Sequence, residues 1–125
     1  MTVELMAAHV ARVCKVEDII VERHSTGGRA YRTLRKIKIR PIKSDITYCI
    51  ALHEIGHILG PRQCGKRIDK ETGAWEWARA NAIRWTPRMT ATMRTCLMSY
   101  VNKINRSPRM TRPDDDHPVH ALLKE

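Results

Sequence analysis

The sequence predicts an α+β fold: an N-terminal helix, a small antiparallel or mixed sheet of about three strands, and then a central helix with two further helices behind it. Three observations predict it. Apolar residues recur at three- and four-residue steps near the N-terminus and again over the later part of the chain, which is the spacing of helical faces. Between those regions lie short β-branched runs punctuated by glycine. Finally, the run Ile50-Ala51-Leu52-His53-Glu54-Ile55-Gly56-His57-Ile58-Leu59 is apolar on nearly every side, as a helix enclosed by other elements must be.

Leu5, Met6, His9, Val10 and Val13 set the first helix, from Thr2 as N-cap to about Val16. His9 lies on its apolar stripe and reads as a partly buried structural histidine rather than a ligand. Asp18 to His24 is short and β-branched, Ser25-Thr26-Gly27-Gly28 supplies a turn, and Arg29 to Ile42 resumes extended, so a hairpin or three-stranded meander is expected. Lys36-Ile37-Lys38-Ile39-Arg40 alternates, placing Ile37 and Ile39 on the core face, and Pro41 marks an edge position or the strand's end.

Ser44 or Asp45 caps the central helix and Gly60-Pro61 ends it. Asp69 is expected to cap a helix reaching about Trp85. Thr86 and Pro87 then suit the N-cap and first position of another, which runs through Met89, Met93, Leu97, Val101 and Ile104. These elements make one domain over residues 1–106. Past Arg106, Ser107-Pro108, Arg112-Pro113, Asp114-Asp115-Asp116 and Pro118 interrupt any regular element, so residues 107–125 are expected to form a flexible tail, with His117 and His120 at most an adventitious metal pair.

A chain of 125 residues can enclose a single core, and without phenylalanine that core must rest on aliphatics, Met and Trp. With 23 Lys and Arg against 13 Asp and Glu, an acidic partner or substrate would suit the charge. The cations crowd the hairpin Arg29–Lys43. They read first as a solvated edge that resists unwanted pairing, and alternatively as a basic wall beside a groove or a nucleic-acid surface, though no aromatic residues interleave for base stacking. Glu4 stands where a signal peptide carries cations, and no long apolar segment follows, so a cytoplasmic protein without a membrane segment is expected. Cys14, Cys49, Cys64 and Cys96 are isolated, which suits a reducing compartment.

The chemistry concentrates in His53-Glu54-Ile55-Gly56-His57. Histidines four residues apart project from one helical face, and the glutamate between them can act on a water activated by the metal they hold: the pattern of zinc hydrolases. Left without a metal, the triplet would bury three polar groups at considerable cost. A catalytic zinc site takes three protein ligands, so one more must come from elsewhere. Glu71 is preferred because it shares a helical face with Ala74, Trp75 and Ala78, whereas Glu76 is rotated from it by about 140°. Asp69 is a weaker candidate, better used as a cap. Tyr48, Tyr100, Arg79 and Arg84 are unranked candidates for stabilising an oxyanion.

From Lys36 to Ala82 the chain resembles the minimal gluzincin metallopeptidases, in particular the ImmA/IrrE-like group of phages, mobile elements and bacteria. The resemblance rests on the strand Lys36-Ile37-Lys38-Ile39, on His53-Glu54-Ile55-Gly56-His57, and on Glu71-Thr72-Gly73-Ala74-Trp75-Glu76-Trp77-Ala78. It implies a minimal zincin fold, zinc held by His53, His57 and Glu71, Glu54 as general base, and a protein substrate such as a repressor in a bacterial cytoplasm. One departure stands out: Trp75 occupies the position, four residues after the ligand glutamate, where the family carries Asp or Asn. The competing expectation is a non-catalytic zincin-like module whose basic surface binds nucleic acid or a partner protein.

Overall fold

The computed structural model describes residues 2–125, among which lie five helices and a three-stranded mixed sheet. Helix α1 (Val3–Val16) starts at Thr2, whose hydroxyl accepts from Leu5 N–H. It ends in a Schellman-type turn: Ile19 N–H donates to Cys14 O at 2.8 Å, with Asp18 in the left-handed region at φ 55°. Asp18 therefore belongs to the helix stop and not to the strand that follows, and Ile19 and Cys14 are both buried against the core.

Strands β1 (Ile20–Arg23), β2 (Gly28–Tyr31) and β3 (Lys36–Ile39) are ordered β1-β3-β2. β3 pairs antiparallel with β2, through a turn closed by Arg35 N–H to Arg32 O, and parallel with β1. The expected meander is thus corrected. Alternation predicts which face of a strand is buried, and Ile37 and Ile39 are indeed buried, but it carries no information about lateral order. The lysine-rich strand is accordingly central and not an edge. Lys36 and Lys38 lie on its outer face, over the Tyr31 ring at 5.0 and 5.6 Å and beside Glu22. The free edges are β1 and β2.

Helix α2 (Asp45–Leu59) is the centre of the molecule, packed against α1, the inner face of β2 and β3, and two later helices. Its N-terminus is a capping box in which Ser44 Oγ accepts from Thr47 N–H while Thr47 Oγ1 accepts from Ser44 N–H. Tyr48, Leu52 and Ile55 are wholly buried along it. Gly60 closes the helix in an extended conformation (φ −79°) and not the left-handed one expected of a C-terminal glycine.

Helix α3 (Arg67–Asn81) begins two residues before Asp69, whose carboxylate accepts from Lys66 N–H at 2.9 Å. It stops short of the expected Trp85 because the chain extends at Ala82 to reach α4 (Pro87–Arg106), where Thr86 and Pro87 hold the predicted N-cap and first position. Residues 107–125, expected to be a flexible tail, contain α5 (Pro118–Leu123). This short helix packs on α3 and α4. Val119 and Leu122 bury there, and His117 Nε2 meets Asp69 Oδ1 at 2.6 Å. The prolines and aspartates that break regular structure before Pro118 leave these later apolar residues free to dock. No described helix is long and apolar enough to cross a membrane.

The tightest crossing in the fold is that of α2 over α3. A Cβ on Gly56 would lie 2.3 Å from the carbonyl oxygen of Ala74, so only glycine permits the approach. Gly56→Ala is expected to destabilise the fold by about 1–3 kcal/mol through overpacking and to weaken metal binding together with stability. Urea denaturation and a metal titration on the same variant check both.

Candidate metal centre

That crossing places Glu71 of α3 opposite two successive turns of α2. His57 Nε2 lies 2.7 Å from Glu71 Oε2 and His53 Nε2 lies 3.2 Å from Glu71 Oε1. One ligand atom from each of the three residues falls within 4.8 Å of the other two. Metal–ligand bonds of about 2.0–2.2 Å in tetrahedral geometry put ligand atoms roughly 3.3 Å apart; the His53 separation is close to that spacing and the His57 separation is shorter, at hydrogen-bond distance. Two imidazole nitrogens and a carboxylate, largely buried and leaving a side open to a cleft, can hold a metal ion. Of the acidic candidates, Glu71 alone is brought to the histidines. Glu76 faces away and forms a two-pronged pair with Arg62, and Asp69 is occupied by Lys66 N–H and His117.

The charge state of the cluster follows from its burial and from the charges its members place beside one another. Burial alone would lower the pKa of His53, but hydrogen bonds and proximity to the Glu54 and Glu71 carboxylates outweigh it and raise it to about 9. Burial would likewise raise that of Glu71, yet His53 and His57 hold it far below the usual carboxylate range. A proton on His53 therefore does part of a cation's work, keeping the carboxylate paired inside the protein.

Several neighbours orient these groups. Gln63 is 7% exposed; its Oε1 accepts from His57 Nδ1 at 3.1 Å while its Nε2 donates to the carbonyls of Pro61 and Lys70. This amide fixes the tautomer that turns His57 Nε2 toward Glu71, the role an outer-shell partner plays for a metal-ligating histidine. No local pattern signals this role, since Gln63 stands in a connector that is otherwise polar and mostly exposed. Trp75, where the resemblance leads one to expect an acid, is fully buried and stacks on His53 with ring centroids 4.4 Å apart and planes 17° from parallel.

Glu54 is buried beside the pair, its Oε2 3.5 Å from His53 Nδ1. Strand β2 passes directly over it: a Cβ on Gly28 would lie 2.8 Å from Glu54 Cγ and Oε2, so the missing side chain is what lets the edge strand reach the carboxylate. The cleft in front has a volume of about 490 Å³ and runs from β2 to Tyr100 of α4. Among the oxyanion candidates only Tyr100 lines it. Its hydroxyl accepts from Arg67, whose guanidinium also lies 3.6 Å from Glu71 Oε2. Tyr48 is enclosed in the core, bonded to His9 and Ile83 N–H, while Arg79 pairs with Glu125 and Arg84 with Asp45. His9 thus has the structural role the sequence suggested. His117 and His120 bind separate partners and form no metal pair.

No protein-family model, curated protein or solved structure matches the chain at a significant level.

Two outcomes are expected of metal titrations. Gln63→Ala should weaken the affinity about 10- to 100-fold by freeing the His57 ring, read by competition with a chromogenic chelator. In addition, His53 must lose its proton to become a ligand, so binding at pH 7.5 should release a proton and affinity should climb about tenfold per pH unit toward pH 9. Calorimetry in buffers of different ionisation enthalpy measures that release, and a buffer-independent heat would contradict it.

Proposed function

We propose that the protein is a zinc-dependent peptidase that hydrolyses a peptide bond in a protein substrate, with His53, His57 and Glu71 as zinc ligands and Glu54 as general base. The observation that carries this reading is the position of Glu54: next in sequence to His53, buried beside the ligand cluster, and roofed by an edge strand at Gly28. The similarity of Lys36 to Ala82 to the minimal gluzincins supports the same assignment. The donor set suits zinc, which accepts two imidazoles and a carboxylate and keeps an open position for catalysis.

When bound, zinc would supply Lewis acidity, polarising the carbonyl and lowering the pKa of water towards neutrality. The remaining work falls to the chain. β2 offers an unpaired strand edge to which an extended peptide adds by backbone hydrogen bonds, presenting one carbonyl to the cleft. Glu54 takes the proton of the attacking water and returns it to the leaving nitrogen, so that proton uptake and release balance on one carboxylate. Arg67 and Tyr100, hydrogen-bonded to each other at 3.0 Å, are placed to donate to oxygen as negative charge develops on it. Gln63 and Trp75 keep the two imidazoles oriented throughout.

Glu54→Gln keeps the size and polarity of the side chain and removes its basicity. It should retain metal and lose hydrolysis by at least about 100-fold. A proteome-derived peptide mixture incubated with the zinc-loaded protein and read by mass spectrometry provides the assay. A Glu54→Gln protein that still cleaves would refute the mechanism. Intact biological activity in the same variant, with DNA affinity falling steeply with salt, would favour the non-catalytic, nucleic-acid-binding alternative.

A further inference from the structure

Charge is distributed unevenly over the cleft. Its floor holds the carboxylates of Glu54 and Glu71, both buried and both beside histidine nitrogens. Four cations line the cleft: Arg29, Arg32, Arg67 and Lys70. Outside the cleft, five of the chain's 23 Lys and Arg pair with its own acids: Lys36 and Lys38 with Glu22, Arg62 with Glu76, Arg79 with Glu125, Arg84 with Asp45. Among the described residues no carboxylate lies within 4.0 Å of the charged groups of Arg29, Arg32 or Lys70, and Arg67 reaches only the buried Glu71. Even Asp114-Asp115-Asp116, the densest acidic run, makes no ion pair with them.

The three cations without a carboxylate partner come from opposite walls: Arg29 from β2 and Arg32 from the turn after it, Lys70 from α3. Arg32 belongs to the turn between β2 and β3, and its guanidinium lies 3.9 Å from Cys64 Sγ, next to Gln63. Lys70 belongs to α3, and its carbonyl receives the Gln63 side chain at 2.8 Å.

We propose that the cleft selects an acidic peptide: an extended segment laid along β2 whose Asp or Glu side chains, flanking the scissile bond, pair with the lining cations, Arg32 and Lys70 foremost. This rests on the peptidase reading and adds to it the substrate class. A carboxylate arriving there meets cations with no competing acid, and Arg32 can grip it with two parallel hydrogen bonds. Nucleic acid fits less well. The volume of about 490 Å³ suits a few peptide residues, the β2 edge pairs with a peptide backbone, and the ring of Tyr100 is covered by the Arg67 guanidinium at 5.1 Å, leaving it unavailable for base stacking.

Matched fluorogenic peptides, differing only in Glu, Gln or Lys at positions flanking the scissile bond, test the proposal with the zinc-loaded protein. The Glu peptide should exceed the Gln peptide in kcat/KM by roughly 10-fold or more at low salt, as expected for a charge-assisted pair. That ratio should shrink in 0.5 M NaCl, because the rim is exposed to solvent. Arg32→Glu should invert the Glu-to-Lys preference and Lys70→Gln should reduce it, with zinc content unchanged in both. Binding of the same peptides to the Glu54→Gln protein, followed by anisotropy, separates this proposal from the one beneath it. Acid-selective binding lost in Arg32→Glu, with no cleavage of any peptide by the parent protein, would sink proteolysis and keep the recognition. Cleavage with equal efficiency for Glu, Gln and Lys peptides, or an unchanged preference in Arg32→Glu, would overturn the recognition and keep proteolysis. A single-stranded oligonucleotide that displaces the acidic peptide and binds more tightly would overturn it in favour of nucleic acid.

Discussion

Everything at the candidate centre depends on the approach of α2 to α3 at Gly56 and Ala74. Two histidines one turn apart define a line along α2, and a carboxylate can meet both only if a second helix crosses that line at backbone contact. A residue larger than glycine at position 56 would strike the Ala74 carbonyl, and the shift needed to relieve the clash would be of the same order as the 2.7 and 3.2 Å separations that join Glu71 to His57 and His53. The glycine inside His53-Glu54-Ile55-Gly56-His57 is therefore part of the site, although it carries no functional atom.

The crossing also gathers four ionisable side chains in a largely buried place, a costly arrangement unless they satisfy one another. They do so by sharing protons: His53 is held charged by the carboxylates beside it, and Glu71 is held ionised by the imidazoles. The entropy of bringing these groups together is met by folding, and a metal ion bound there would compete with the proton on His53.

Local chemistry was legible in the sequence, and lateral arrangement was not. The Ser44 cap, the Thr86-Pro87 start and the shared face of Glu71 with Ala74 and Ala78 depend on residues within a few positions of one another, and the structure has all three. The insertion of β3 between β1 and β2 depends on where a connection passes, which alternation cannot reveal. Tyr100 could not be separated from Tyr48, Arg79 and Arg84 because each is set by distant partners: a core hydrogen bond, Glu125, Asp45 or the cleft itself. Gln63 was missed for a similar reason, since its neighbours are exposed and its own burial comes from reaching across to His57 and the Lys70 carbonyl. Residues 107–125 contain real breakers, but breakers specify only where helices stop, and Val119 found a place on α3 and α4 regardless.

Trp75 orients His53 by packing alone. An acid at this position would hold an imidazole by hydrogen-bonding its Nδ1, fixing both the plane of the ring and its tautomer. An indole stacked at 4.4 Å fixes the plane by contact alone. The Nδ1 of His53 is left with Glu54, at a long 3.5 Å. The packing has a visible cost, because the Trp75 Nε1–H is buried without an acceptor, a penalty of about 1–3 kcal/mol. A buried donor left unsatisfied is tolerated where the rest of the side chain is needed, and at Trp75 that need is a flat apolar wall against His53. The two histidines are thus held by different means, His57 through the Gln63 amide and His53 through packing, and only His57 has its tautomer fixed by a hydrogen bond to an outer side chain.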